Sequence, residues 1–113
     1  RVLIGRNKLQ NDHLSFRVAA KNDLWFHAKA VPGSHVILLC DGAEPSAEDY
    51  TFAASLAAGY SKANAAGVAT VPVDYTRVCN VKKPAGARPG FVIYKTNYTA
   101  YVQPERIGEW QKD

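Results

Sequence analysis

Only one stretch of this chain carries the full punctuation of a long helix, and that constrains the fold more than any other feature. Ser46-Ala47-Glu48-Asp49 has capping-box spacing: a serine hydroxyl takes an amide three residues on, and the acid there turns back on the first amides. The early acids also oppose the helix dipole. Phe52, Leu56, Gly59, Tyr60 and Ala63 then recur at helical spacing up to a stop at Gly67, which predicts a helix over about 47–65. Its face is small, with Ala53, Ala54, Ala57, Ala58 and Gly59, as close packing on a sheet requires.

The rest of the chain reads as short strands. Residues 2–5 form an apolar run, and 14–18 alternate apolar and polar like a half-buried strand. The turn at Lys21-Asn22-Asp23 makes 14–18 and 24–28 a hairpin, while 36–40 is a β-branched and aliphatic run suited to a central strand. Four more strands are expected at 68–73, 76–81, 91–94 and 99–102, with Asp74-Tyr75 as the break between the first two. The polar block 7–12 is a short helix or a loop, and 108–113 are expected to fray despite Trp110. Strands, one helix and more strands predict an α+β domain, a mixed or antiparallel sheet with the helix on one face.

The 113 residues make one domain, 1–113, of a size that buries about two-thirds of its unfolded surface and needs no disulfide or structural metal. The chain contains no methionine, which favours a domain cut from a larger polypeptide. Cys40 and Cys79 lie in apolar runs without CxxC spacing and read as buried free thiols; His13, His27 and His35 lack the paired spacing of zinc motifs. No apolar run is long enough to span a membrane and none resembles a secretory signal, so a cytoplasmic protein is expected, without metal or cofactor.

Charge is segregated along the chain. Residues 1–29 carry +4, residues 30–61 carry four acids and no Lys or Arg, and 62–104 carry six bases against Asp74. Such separation concentrates positive potential on part of the surface, as a polyanion-binding face does. The loop 82–90 has the composition of a phosphate-contacting arm, with Lys82, Lys83 and Arg88 on a backbone stiffened by Pro84 and Pro89. Trp25 and His27 lie two apart on a strand and share a face beside Lys29, the makeup of a platform that stacks a base and holds its phosphate; a core tryptophan with a hydrogen-bonded histidine is the alternative. Ser34, His35, His27 and Asp23 supply the residue types of a nucleophilic triad. However, Ser34 and His35 are neighbours that point to opposite faces of a strand, and there is no GxSxG elbow, Walker loop or GxGxxG, so no catalytic residue is assigned.

Several ungapped motifs in order then become specific. Gly5-Arg6-Asn7 with Gln10-Asn11-Asp12, Asp23-Leu24-Trp25-Phe26-His27-Ala28-Lys29, Pro32-Gly33-Ser34-His35-Val36, Ala57-Ala58-Gly59-Tyr60-Ser61, Val73-Asp74-Tyr75-Thr76 and Val81-Lys82-Lys83-Pro84 with Pro89-Gly90 resemble the signature of the NFACT-R domain. That domain closes the chain of the RqcH/NEMF family, whose bacterial members were long described as fibronectin-binding proteins. Lys8, where many relatives carry asparagine, and Phe91, where methionine is common, depart from the pattern. The resemblance implies a non-catalytic RNA-binding module. Its parent would bind stalled large ribosomal subunits and tRNA for C-terminal alanine tailing of nascent chains. The tRNA-selecting residues belong to another domain. Ribosomal RNA, tRNA and the parent's other domains are the expected partners; docking on neighbouring domains or ribosomal proteins is the alternative. Arg6, Lys29, Lys82, Lys83 and Arg88 are the expected phosphate contacts, and Trp25, His27 and His35 the base or ribose contacts. Asn7, Gln10, Asn11 and Ser34 complete the candidate site, unless such polar groups serve the architecture.

Overall fold

A computed structural model of the chain describes residues 1–95 and 97–105. Its main sheet has five strands in the order β1 (Val2–Ile4), β3 (Val36–Leu38), β2 (Leu24–Ala28), β4 (Val71–Arg77) and β7 (Tyr98–Val102), every neighbouring pair antiparallel. A second, two-stranded ribbon pairs β5 (Val81–Lys82) with β6 (Ile93–Tyr94). The helices are α1 (Lys8–His13), α2 (Ala47–Gly59) and α3 (Lys62–Ala65). The α+β class and the helix on one sheet face are as the sequence predicts, and the sheet is wholly antiparallel.

Alternation along β2 sorts its side chains onto two faces. Leu24, Phe26 and Ala28 point with Val36, Leu38, Val71 and Val73 toward α2, whose Ala53, Ala54, Ala57 and Ala58 are small enough to seat the helix closely. The capping box forms as expected: Ser46 Oγ accepts the Asp49 amide at 3.1 Å and Asp49 Oδ2 accepts the Ser46 amide at 3.2 Å. Trp25 and Ile37 point the other way into a second core with Val78 and Val81, roofed by Leu14, Phe16, Val92 and Tyr94. Both faces of the sheet are therefore covered.

Four expectations are corrected. Residues 14–18 form a π-helical continuation of α1, not a strand paired to 24–28. On a helical path Asn11 and Ser15 stand one turn apart on one face, and both reach His35, a latch that outweighs the local alternation. The long helix stops at Gly59 and resumes as α3, because Gly33 bridges to Ser61, with Ser34 N–H donating to Tyr60 O (3.1 Å) and Lys62 N–H to Pro32 O (2.9 Å). Asp74-Tyr75 is no break: β4 runs unbroken from Val71 to Arg77, since Asp74 finds its hydrogen bonds inside the fold. Finally, Cys79 is exposed and only Cys40 is partly buried. The expectation for 108–113 lies outside the described residues.

Candidate nucleic-acid interface

The face of the sheet opposite α2 is built by α1, its π-helical extension, and the long loop between β5 and β6. Asn7 begins α1 by accepting the Gln10 amide on Oδ1 (2.9 Å), while Gln10 Oε1 accepts the amide of Arg6, the residue before the cap (2.8 Å). One turn on, Asn11 Oδ1 accepts the His35 amide at 3.0 Å, and Ser15 Oγ bonds His35 Nδ1 at 2.9 Å. Gly5 donates to His35 O at 3.0 Å, and a Cβ on Gly5 would stand 2.1 Å from Asn11 Oδ1, so only glycine fits there. Much of the polar motif is thus a lock between α1 and the strand entry at His35.

Asp12, the next residue of α1, anchors the loop. Its Oδ1 accepts the Gly90 amide at 3.1 Å, and its Oδ2 pairs with Lys83 Nζ at 3.1 Å. Lys83 Nζ also donates to Arg88 O (2.8 Å) and Phe91 O (3.0 Å), so one ammonium ties both arms of the loop to α1. Gly90 holds φ +84° and packs against the Lys8 stem, where a Cβ would come within 3.0 Å of Lys8 Cγ. Two clefts open on either side of this anchor. One, of about 670 Å³, is lined by His13, Phe16, Arg17 and Lys82. The other, of about 590 Å³, lies between Lys8, Arg88, His27, His35, Trp25 and Tyr94.

Among the described residues, ion pairs join Lys29 to Asp74, Arg77 to Glu44 and Lys83 to Asp12, and none involves Arg6, Lys8, Arg17, Lys82 or Arg88. These five are exposed, with Arg6 over the Tyr60 ring and Arg88 over the Phe91 ring. Unneutralised cations flanking a pre-ordered loop are what phosphate binding needs. Lys8, His13 and Arg17 were missed as candidates. Arg17 was hidden by the strand reading of 14–18, and the charge of 1–29 was the available signal.

The predicted site residues divide by burial. Arg6, Asn7, Gln10, Lys29, Lys82 and Arg88 are exposed, and His27 and Lys83 are half-buried. Asn11, Trp25, Ser34 and His35 are buried, Trp25 at 0% exposure. A Trp25 ring open to stack a base is therefore corrected: the β5–β6 ribbon and the π-helical turn cover it, and it packs against His27, His35 and Tyr94 at centroid distances of 5.8, 5.2 and 4.7 Å. Lys83, expected as a phosphate contact, is half-buried and bonded to Asp12 and two loop carbonyls. Burial lowers the His27 pKa and pushes His35 down to about 3, with His27 beside it adding to the effect. Both imidazoles are neutral at pH 7. Tyr94, its OH 2.5 Å from Asp74 Oδ2, is raised by burial and by that bond.

The sequence profile of the NFACT protein RNA binding domain matches residues 1–96. The Rqc2 homolog RqcH of Bacillus subtilis (strain 168) is 46% identical over 104 residues, and that of Streptococcus suis 48% over 103. These alignments cover 92% and 91% of this chain but 18% of each relative, so the chain spans about a fifth of their length. The solved C-terminal part of the fibronectin/fibrinogen-binding protein from Streptococcus suis superposes with a TM-score of 0.87 at 46% identity, covering 94% of this chain and 41% of that one.

Proposed function

Because the chain belongs to the family of NFACT RNA-binding domains, we propose that it is the non-catalytic RNA-binding module of a ribosome-associated quality control factor. In this reading residues 1–113 are one domain of a larger cytoplasmic protein. The parent engages stalled large ribosomal subunits and tRNA and supports alanine tailing of the nascent chain, while this domain supplies contacts to tRNA or ribosomal RNA and to its neighbouring domains. The observation that carries the RNA-binding reading is the set of exposed cations, Lys8, Arg17, Lys82 and Arg88, in no ion pair among the described residues, around a loop already ordered by Asp12 and Lys83.

The test is binding of this chain to tRNA and to a ribosomal RNA fragment over a salt series. Lys82→Ala/Arg88→Ala is expected to lower the slope of log K against log salt by roughly 1.5–2, as loss of two phosphate contacts does. An unchanged slope would take both residues out of the interface. The alternative, docking on a protein, has one observation in its favour: outer strand β7 exposes Tyr98 and Tyr101. It predicts that Tyr98→Ser/Tyr101→Ser leaves RNA affinity intact and abolishes binding to a neighbouring domain or a ribosomal protein.

A further inference from the structure

Three aromatic residues stand abreast on the α2 side of the sheet: Phe26 of β2 is opposite Tyr75 of β4, and Tyr75 is opposite Tyr98 of β7. Directly opposed residues of neighbouring strands bring their side chains together, and the ring centroids step outward at 5.5 and 5.6 Å. Burial falls along this ladder. Phe26 is 0% exposed in the core, Tyr75 is half-buried, and Tyr98 on the outer strand is 66% exposed. Tyr50 of α2, also half-buried, sets its ring 5.6 Å from that of Tyr75 and at 64° to it. Tyr50, Tyr75 and Tyr98 thus wall an open cleft of about 550 Å³, which Ala47, Thr51 and Ala100 complete, with Phe26 as the buried support behind Tyr75.

The strand beside this cleft lacks the usual protection of an edge. β7 is last in the sheet order, and its five residues, Tyr98-Thr99-Ala100-Tyr101-Val102, include no charge and no proline to discourage a further strand. The surroundings are acidic. α2 and β7 carry Glu48 and Asp49 and no lysine or arginine, and Arg77 of β4 is already bound to Glu44 at 2.7 Å. Glu48 is exposed and in no ion pair among the described residues. Tyrosine faces carry the negative side of the ring quadrupole and attract a guanidinium, while acids beside them repel phosphate. We propose that this cleft docks an extended, arginine-bearing segment of a protein partner laid along the open edge of β7, with a guanidinium on the tyrosine faces and Glu48 beside it. The inference gives the Tyr98 surface a partner chemistry and does not rest on the RNA-binding reading. Lys8, Arg17, Lys82 and Arg88 belong to the layer on the other face of the sheet, which leaves room for both partners at once.

The experiment titrates this chain with two short peptides, one alternating valine and arginine, the other valine and citrulline, which keeps the shape of the arginine side chain and lacks its charge. The arginine peptide is expected to bind roughly tenfold more tightly. Tyr98→Leu, which keeps apolar bulk at an exposed position and deletes the ring face, should erase most of that difference, whereas Tyr98→Phe should preserve it. Glu48→Gln should weaken the arginine peptide alone. Equal affinity for the two peptides, binding of neither, or indifference to Tyr98→Leu overturns the cleft assignment and leaves RNA binding standing. A Tyr98→Leu chain that loses affinity for tRNA would make RNA the occupant, and a dimer of the chain alone that this variant dissociates would make it a second copy; either result overturns the proposal. Intact discrimination between the peptides in a chain that fails to bind tRNA at low salt would overturn the RNA-binding reading only.

Discussion

Lys82 and Lys83 are adjacent, yet the fold gives them different surroundings. Lys82 is exposed on a cleft that also holds Arg17, whereas Lys83 is held by Asp12 and two loop carbonyls. Lys82→Ala should lower the salt slope of RNA binding by roughly 0.7–0.9 and leave stability within about 0.5 kcal/mol. Lys83→Ala should instead cost about 1–2 kcal/mol, because it removes one ion pair and two charge-assisted hydrogen bonds from a side chain 28% exposed. Urea denaturation separates the two. Equal stability of both variants would mean that Lys83 does not anchor the loop. Nothing in the dipeptide distinguishes these roles, since the discriminating partner, Asp12, lies far away in sequence. The bonds of Asn7 and Gln10 are local instead: Asn7 Oδ1 caps the Gln10 amide and Gln10 Oε1 takes the Arg6 amide, all within five residues.

Among the elements, the break between α2 and α3 shows how a local signal is overruled. Alanine-rich sequence through Tyr60 and Ser61 favours continuing the helix. The bridge from Gly33 to Ser61 instead takes backbone groups that a longer helix would use internally. A Cβ on Gly33 would meet Ser61 Cβ at 3.0 Å and Tyr60 O at 3.2 Å. Gly33→Ala should therefore cost about 1–3 kcal/mol by forcing the two segments apart. Hydrogen exchange should show the Ser34 and Lys62 amides, whose acceptors lie across this contact, losing protection before those of α2. Unchanged protection at both would show that the bridge tolerates the extra carbon. The π-helical turn was misread for a related reason: its alternating pattern is local, and the His35 latch that bends it into a helix is not.

For the molecule as a whole, burial of His35 couples the lock between α1 and the sheet to pH. Its folded pKa is held down to about 3 against an ordinary value near 6.5, so between those limits the unfolded chain binds a proton that the folded one refuses. Stability from this group is complete above about pH 6.5 and drains away on acidification, by up to roughly 1.4 kcal/mol per pH unit, and His27 acts in the same direction. Unfolding midpoints at pH 7 and pH 5 should differ clearly in the unaltered chain and less in His35→Asn; an identical difference would place the sensitivity elsewhere. Charge is arranged on the same scale. Glu48 and Asp49 open α2 on one face of the sheet, while Lys8, Arg17, Lys82 and Arg88 belong to the layer on the other. The sequence by itself determined the fold class, the start of α2 and the sorting of Trp25 and Phe26 to opposite faces. All of these follow from caps and a two-residue period acting over a few bonds. Only the tertiary structure decided that the Trp25 face is covered, and which lysine is exposed and which is held by Asp12. Burial and pairing at those positions depend on α1 and the β5–β6 ribbon closing over the sheet, contacts between segments far apart in the chain whose geometry no local pattern encodes.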